Sequence, residues 1–163
     1  MLRIDNKTIT LRQVHKEDCK LLWKWVNDPV VRASAFSSDS ISWEEHSQWF
    51  LRKLADPNCY IFIALACKNT LIGQVRFDAI GQQQFEIDIS IAASQRGSGY
   101  GSSLIEIAVQ ELATQTPTQA IHAFIKPKNY ASIRVFEKAK FKALGKRIIK
   151  ENLALHYERK ICP

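Results

Sequence analysis

Residues Gln95-Arg96-Gly97-Ser98-Gly99-Tyr100-Gly101 constrain this chain more than any other stretch. An apolar, strand-like run from Phe85 to Ala92 leads into them, and a helix-like run from Ser102 to Ala113 follows. Glycine takes positive φ and admits close backbone approach without a Cβ penalty. A strand, a glycine turn and a helix N-terminus therefore gather backbone N–H groups where the helix dipole adds positive potential. Such a junction points to a phosphate-bearing ligand, with a plain capping turn as the alternative. The P-loop pattern is excluded because no Lys follows Gly101. The dinucleotide fingerprint is excluded by the Gly-x-Gly-x-Gly spacing and the position past mid-chain.

The length of 163 residues fits one domain, read as 1–163 without linker, repeat or low-complexity segment. No apolar run is long enough to span a bilayer. Met1-Leu2-Arg3-Ile4-Asp5 acquires charge at once and lacks the apolar core of a signal peptide, so the expected setting is cytoplasmic, with no membrane partner. The net charge of +7 is spread out, with a mild cluster in Lys126 to Lys150; no run resembles a nucleic-acid arm. Cys19, Cys59, Cys67 and Cys162 match no zinc spacing, and no metal is expected. Cys59 and Cys67 are placed on one face of a single strand, as buried packing.

Hydrophobic periodicity gives the order β-αα-βββ-α-β-α-ββ. Thr8–Arg12 alternates as a strand. Lys16–Asn27 reads as a helix ended by Asp28-Pro29. Ser42-x-x-Glu45 is a capping box that starts a helix running to about Leu54. Cys59–Cys67, Thr70–Asp78 and Phe85–Ala92 are strands, the first two joined by a hairpin turn at Lys68-Asn69. Gln119–Lys126 is a strand, Ser132–Ala139 a short helix, and 141–150 and 154–161 are closing strands. The fold class is α/β, a mixed and largely antiparallel sheet with about four helices.

A second motif is Asn129-x-x-Ser132 ahead of Phe136-Glu137-Lys138. Asn129 alone would serve as a helix cap. Together with Arg96-x-x-Gly99-x-Gly101 and the order of elements, it resembles the GNAT superfamily of acetyl-CoA-dependent N-acetyltransferases over essentially the whole chain. The resemblance implies that Arg96, Gly97, Ser98, Gly99, Tyr100, Gly101 and Ser102 cradle the pyrophosphate of acetyl-CoA. It implies that the backbone of Ser90 and Ile91 pairs with the pantetheine arm as an added strand, in a gap opening beside Gln119–Lys126. Asn129 and Ser132 would contact the arm or the diphosphate.

Transfer to an amine needs a neutral nucleophile, and a lysine-like amine has a pKa of ~10.4, so a base is required. Glu86 and Asp88 lie two apart on the strand entering the cradle, hence on one face. Glu86 matches the position where many relatives carry a base, and either carboxylate remains a candidate. A backbone N–H near Ile91 would hold the oxyanion. Relatives commonly carry a tyrosine acid where this chain has Phe136, which leaves water, Ser132 or Tyr130 to protonate the thiolate. A common glycine is replaced by Lys140.

The acceptor side is read from Asn27-Asp28-Pro29-x-x-Arg32 and Glu45-His46-x-x-Trp49-Phe50. These strings resemble the GNAT branch acting on amino-sugar nucleotides in pseudaminic or legionaminic acid biosynthesis. They imply Asn27, Arg32, His46 and Trp49 as acceptor contacts, while Trp23, Trp25 and Trp43 read as packing. The expected partner is a small-molecule amine, not nucleic acid, with a homodimer as the assembly to test. The alternatives are a protein N-terminal or antibiotic acetyltransferase, or a non-catalytic acyl-CoA-binding module.

Overall fold

In the computed structural model, residues 2–4 and 7–162 are described, with side chains from Thr8 to Cys162. Strands β1 (Leu2–Ile4), β2 (Lys7–Gln13), β3 (Cys59–Ala66), β4 (Thr70–Gly81), β5 (Gln84–Ile91), β6 (Ala120–Ile125), β7 (Lys142–Ile149) and β8 (Asn152–Lys160) form one sheet in the order β1-β2-β3-β4-β5-β6-β8-β7. Every pairing is antiparallel except β5 with β6. Met1 and Asp5 of the N-terminal stretch lie outside the described residues, and no described helix is long and apolar enough to cross a membrane.

Alternation along the strands decides which helices cover which face. Phe62, Ala64, Val75, Phe77, Phe85, Ile87 and Ile121 pack beneath helices α4 (Tyr100–Gln115) and α5 (Tyr130–Lys138) in the larger core. On the opposite face Ile61 and Ile63 meet Leu22 of α1 (Cys19–Val26) and Phe50 of α3 (Trp43–Ala55). That second core spans β3, while the same face of β5 carries Glu86 and Asp88 and that of β6 and β8 carries His122, Phe124, His156 and Glu158.

Two local readings needed correction. Asp28-Pro29 ends α1 and also starts an unexpected helix, α2 (Pro29–Ser34): Asp28 accepts from the N–H groups of Val30 and Val31, and Pro29 fills the first helical position, where no N–H is needed. Five α-helices therefore stand among the described residues rather than four. Cys67 leaves the face of Cys59. A register shift falls between Ala64 and Leu65, and Cys67 lies exposed in a 3₁₀ turn after β3. The hairpin itself forms where expected, with Lys68 and Asn69 both at positive φ (58° and 57°). The Ser42–Glu45 capping box also forms, with Ser42 Oγ accepting from Glu45 N–H.

Candidate active site

The glycine turn sits where the sequence places it, after β5 and at the start of α4. Gly97 and Gly99 hold φ of 73° and 77°, values a side chain would strain. Gly99 is the N-cap of α4 and no side chain caps that end, which places the positive end of the helix dipole at the turn. Gly101 serves packing: a Cβ there would meet both methyl groups of Val135 at 3.0 Å. Arg96 is anchored rather than free. Its Nη2 donates to Asp28 Oδ1 at 2.8 Å and its Nε to the Ile91 carbonyl at 3.2 Å. The Arg96 hydrogen bond holds the Asp28 carboxyl below its ordinary range. A cavity of about 290 Å³ lies beside this pair, lined by residues that include Lys24, Trp25, Ile91 and Ser94.

Strands β5 and β6 share only the rungs Gln84↔Ala120, Phe85↔Ile121 and Glu86↔His122. Beyond Glu86 both strands continue, to Ile91 and Ile125, but no longer pair. The gap therefore begins at Glu86 and leaves one edge of β5, including Ser90 and Ile91, without a ladder partner. Asn129 Oδ1 accepts from Ser132 N–H at 3.2 Å, capping α5 at the far side of the gap. Phe136 is buried in the main core, edge-on to Phe141 with ring centroids 5.0 Å apart. Lys140 takes the glycine-like conformation (φ 67°) just past α5, with Phe141 N–H bonding the Phe136 carbonyl.

Glu86 and Asp88 do share a face, and on the neighbouring strand so do Gln74, Arg76 and Asp78. Asp78 is claimed by Lys53 at 2.6 Å and Arg76 at 2.7 Å. Burial works to raise its carboxyl, and the two cations overcome that and hold it low. Asp88 accepts from Gln74 Nε2 at 3.0 Å, with Arg76 Nη1 at 3.8 Å. The Glu86 carboxylate has no hydrogen bond or ion pair within the described residues. Partial burial raises its carboxyl, against the pull of Arg76.

The acceptor-side candidates are placed differently. Asn27 bonds both backbone groups of Ile41 and the Trp23 carbonyl. Arg32 donates to the carbonyls of Val26, Ser37 and Asp39. His46 is buried, meets the Cys19 carbonyl at 3.1 Å and stacks on Phe50; burial lowers its pKa. Trp49 is half-buried with the Arg76 guanidinium 5.1 Å from its ring centroid. The structure thus brings Trp49 toward Arg76 and the carboxylates, and ties Asn27, Arg32 and His46 into the scaffold of α1–α3. Cys59 is no nucleophile candidate, since burial pushes its thiol up to about 12.

Sequence reasoning missed Arg76, Asp78, Lys53, and the pair His122 and His156. The available signal was the alternation Gln74-x-Arg76-x-Asp78 and a lone histidine inside each of two apolar strands. Lys126 Nζ also donates to the Ala33 carbonyl and Asn152 Nδ2 to that of Phe36, so α2 and the segment after it reach across to the far strands.

A family model described as the acetyltransferase (GNAT) domain matches residues 8–142. An uncharacterised protein of Methanocaldococcus jannaschii is 26% identical over 146 residues, covering 87% of this chain and 30% of that protein. The chain thus spans under a third of the length of this curated relative. A solved domain from the same organism is 25% identical, with TM-score 0.81, covering 95% of this chain and 99% of that one. A spermidine N-acetyltransferase from Vibrio cholerae in complex with coenzyme A and spermine superposes with TM-score 0.84 at 19% identity, over 93% of this chain and 95% of the other. An aminoglycoside acetyltransferase in complex with coenzyme A and kanamycin gives TM-score 0.80 at 22% identity, over 94% and 95%.

Proposed function

The chain belongs to the GNAT acetyltransferase family, and from that premise we propose that it transfers an acetyl group from acetyl-CoA to a primary amine of a small polycationic acceptor. The observation that carries this reading is the end of the β5–β6 ladder at Glu86. It opens a strand edge for the pantetheine arm, leads straight to the glycine turn, and leaves an unpartnered carboxylate at the mouth of the gap.

In this reading the pyrophosphate lies on the backbone from Arg96 to Ser102, and the arm adds to β5 at Ser90 and Ile91. Arg96 acts through position. It fixes the Ile91 peptide and ties the turn to the N-cap of α2. Asn129 and Ser132 border the arm from α5. Glu86 takes a proton from the acceptor ammonium, directly or through one water. Its carboxyl pKa, raised by partial burial, narrows the gap to the amine. A backbone N–H near Ile91 stabilises the oxyanion. The thiolate leaves with a parent pKa of ~8.5 and takes its proton from water, Ser132 or the exposed Tyr130, because Phe136 has no proton to give.

The carboxylates Glu86 and Asp88 favour an acceptor bearing several amines, as the bound spermine and kanamycin of the two structural relatives do. An amino-sugar nucleotide is the second reading, supported by Trp49 as a stacking surface under Arg76, a cation suited to a phosphate. Free-thiol release from acetyl-CoA tests both, with spermine, kanamycin, a 4-amino-sugar UDP conjugate and an N-terminal peptide offered separately. Turnover of the polyamines alone is expected. Turnover of the sugar nucleotide alone favours the second reading, turnover of the peptide alone contradicts both, and tight CoA binding with no release marks a non-catalytic module.

A further inference from the structure

On the face shared by Glu86, two imidazoles meet. His122 Nδ1 and His156 Nε2 are 2.9 Å apart, each ring about 7% exposed, and His122 Nε2 reaches Gln84 Oε1 at 3.0 Å. His122 stands on the last rung that β5 and β6 share, and His156 of β8, opposite Phe124, reaches it on the diagonal. Phe85 and Ile121 of the preceding rung point into the main core, so Glu86 and His122 both point the other way. Adjacent strands lie ~4.8 Å apart, which puts the two side chains within reach of a single bridging water. Phe124 stacks on His156 with centroids 4.7 Å apart and holds its ring in place.

We propose that His122 and His156 form the exit path for the proton that Glu86 takes from the acceptor. They do not touch the acceptor; they are positioning residues that act through Glu86, and the inference rests on the acetyl-transfer reading above. An acceptor that arrives as an ammonium releases one proton to water per turnover. The ammonium gives that proton to the Glu86 carboxylate, which becomes a carboxylic acid. The acid passes it through water to the neutral pair, which becomes one imidazolium. The imidazolium releases it to solvent past Glu158, whose Oε2 lies 3.9 Å from His122 Nε2. Carboxylate and neutral pair are then restored, and the neutral amine forms its N–C bond as the C–S bond breaks, its second N–H proton passing to the leaving thiolate through water, Ser132 or Tyr130.

The hydrogen bond sets the capacity of the pair at one proton. When His122 Nδ1–H donates to His156 Nε2, the two neutral rings retain one free basic nitrogen, His122 Nε2, and Gln84 Oε1 accepts from it once it is protonated. Two imidazolium rings would set N–H against N–H. Burial keeps both rings neutral near pH 7, with Arg147 also disfavouring charge and Glu158 favouring it. Glu158 is the acid that bears on the pair, Glu86 stands across the β5–β6 rung from His122, and Arg147 is the cation.

The first test needs no acceptor. Imidazole nitrogen NMR on the full chain saturated with CoA follows both rings from about pH 8 to 5. One shared proton is expected, with its midpoint moved to lower pH by Glu86→Gln. Two independent titrations, or a midpoint unmoved by Glu86→Gln, would overturn the proposal. The second test is kinetic, with spermine or kanamycin as acceptor. His156→Asn is expected to lower kcat by about 100-fold in dilute buffer, to regain rate as imidazole is added, and to keep the KM for acetyl-CoA. A loss that imidazole does not restore, in a variant that still melts and binds CoA like the parent, would assign the pair a structural role. If the parent chain turns over neither amine, the polycationic-acceptor reading fails on that result, and the NMR titration still decides the pair.

Discussion

The donor and acceptor sides of this site are built from different materials. In the proposed reading, the donor side consists of main chain: the open edge of β5, the turn at Gly97 and Gly99, and the start of α4, which no side chain caps. The acceptor side consists of side chains, and most of those with a chemically suggestive identity are already occupied. Asn27, Arg32 and His46 satisfy backbone groups of Ile41, Ser37, Asp39 and Cys19. Buried or half-buried polar groups need partners, so the loop-rich α1–α3 region consumes its own hydrogen-bonding residues to hold its shape. A main-chain site is announced by glycine, while a side-chain site depends on which groups the tertiary structure leaves unbonded.

The largest expected effect separates the two carboxylates. Glu86→Gln should lower kcat by ~10²–10⁴ as loss of a general base, with a smaller loss for Asp88→Asn, whose partner Gln74 remains. Parallel rate measurements with a single acceptor check this, and the reverse order would move the base to Asp88. In the parent, kcat should rise with pH through the raised Glu86 pKa, because the base works deprotonated.

Next comes Gly73, on β4 opposite Ile91. A Cβ there would meet the Ser90 carbonyl at 2.1 Å, and this is main chain that must shift. Gly73→Ala should cost ~1–3 kcal/mol in a denaturant melt and weaken CoA binding by displacing β5. Unchanged binding would show that Ser90 and Ile91 do not carry the arm. Asn129→Ala should cost ~1 kcal/mol as a lost cap. A calorimetric Kd for CoA that rises as well would add a ligand contact to the cap, and an unchanged Kd would leave only the cap. Lys140→Gly should stabilise the chain by roughly 0.5–1 kcal/mol by relieving the left-handed backbone, raising Tm by ~1–4 °C in a thermal scan.

Last is a gradual effect of pH. His46, His122 and His156 have folded pKa values depressed by burial. Below the unfolded value of ~6.5 the unfolded chain binds more protons than the folded one, so stability falls as pH drops from there. Tm measured in steps of pH should decline on the acid side, and His46→Gln should flatten the decline. A flat profile in the parent would contradict the burial of these rings.

What was legible in the sequence follows the same division. The capping box at Ser42, the hairpin at Lys68-Asn69 and the glycine turn are local, each set by backbone preferences within a few residues. Helix α2 was hidden because Asp-Pro serves equally as a stop and as a start. Cys67 was misplaced because one register shift after Ala64 breaks the alternation that assigned its face. The imidazole pair was out of reach: His122 and His156 are 34 positions apart, and only the sheet order β6-β8 makes them neighbours.

The central claim is that the open edge of β5 and the turn after it hold coenzyme A. Backbone amide shifts recorded as CoA is titrated into the protein test it most directly. Saturable changes should concentrate in 87–102 and 129–132, with α3 and β1–β3 nearly still. Saturable changes elsewhere with this segment unmoved, or no saturation, would contradict it.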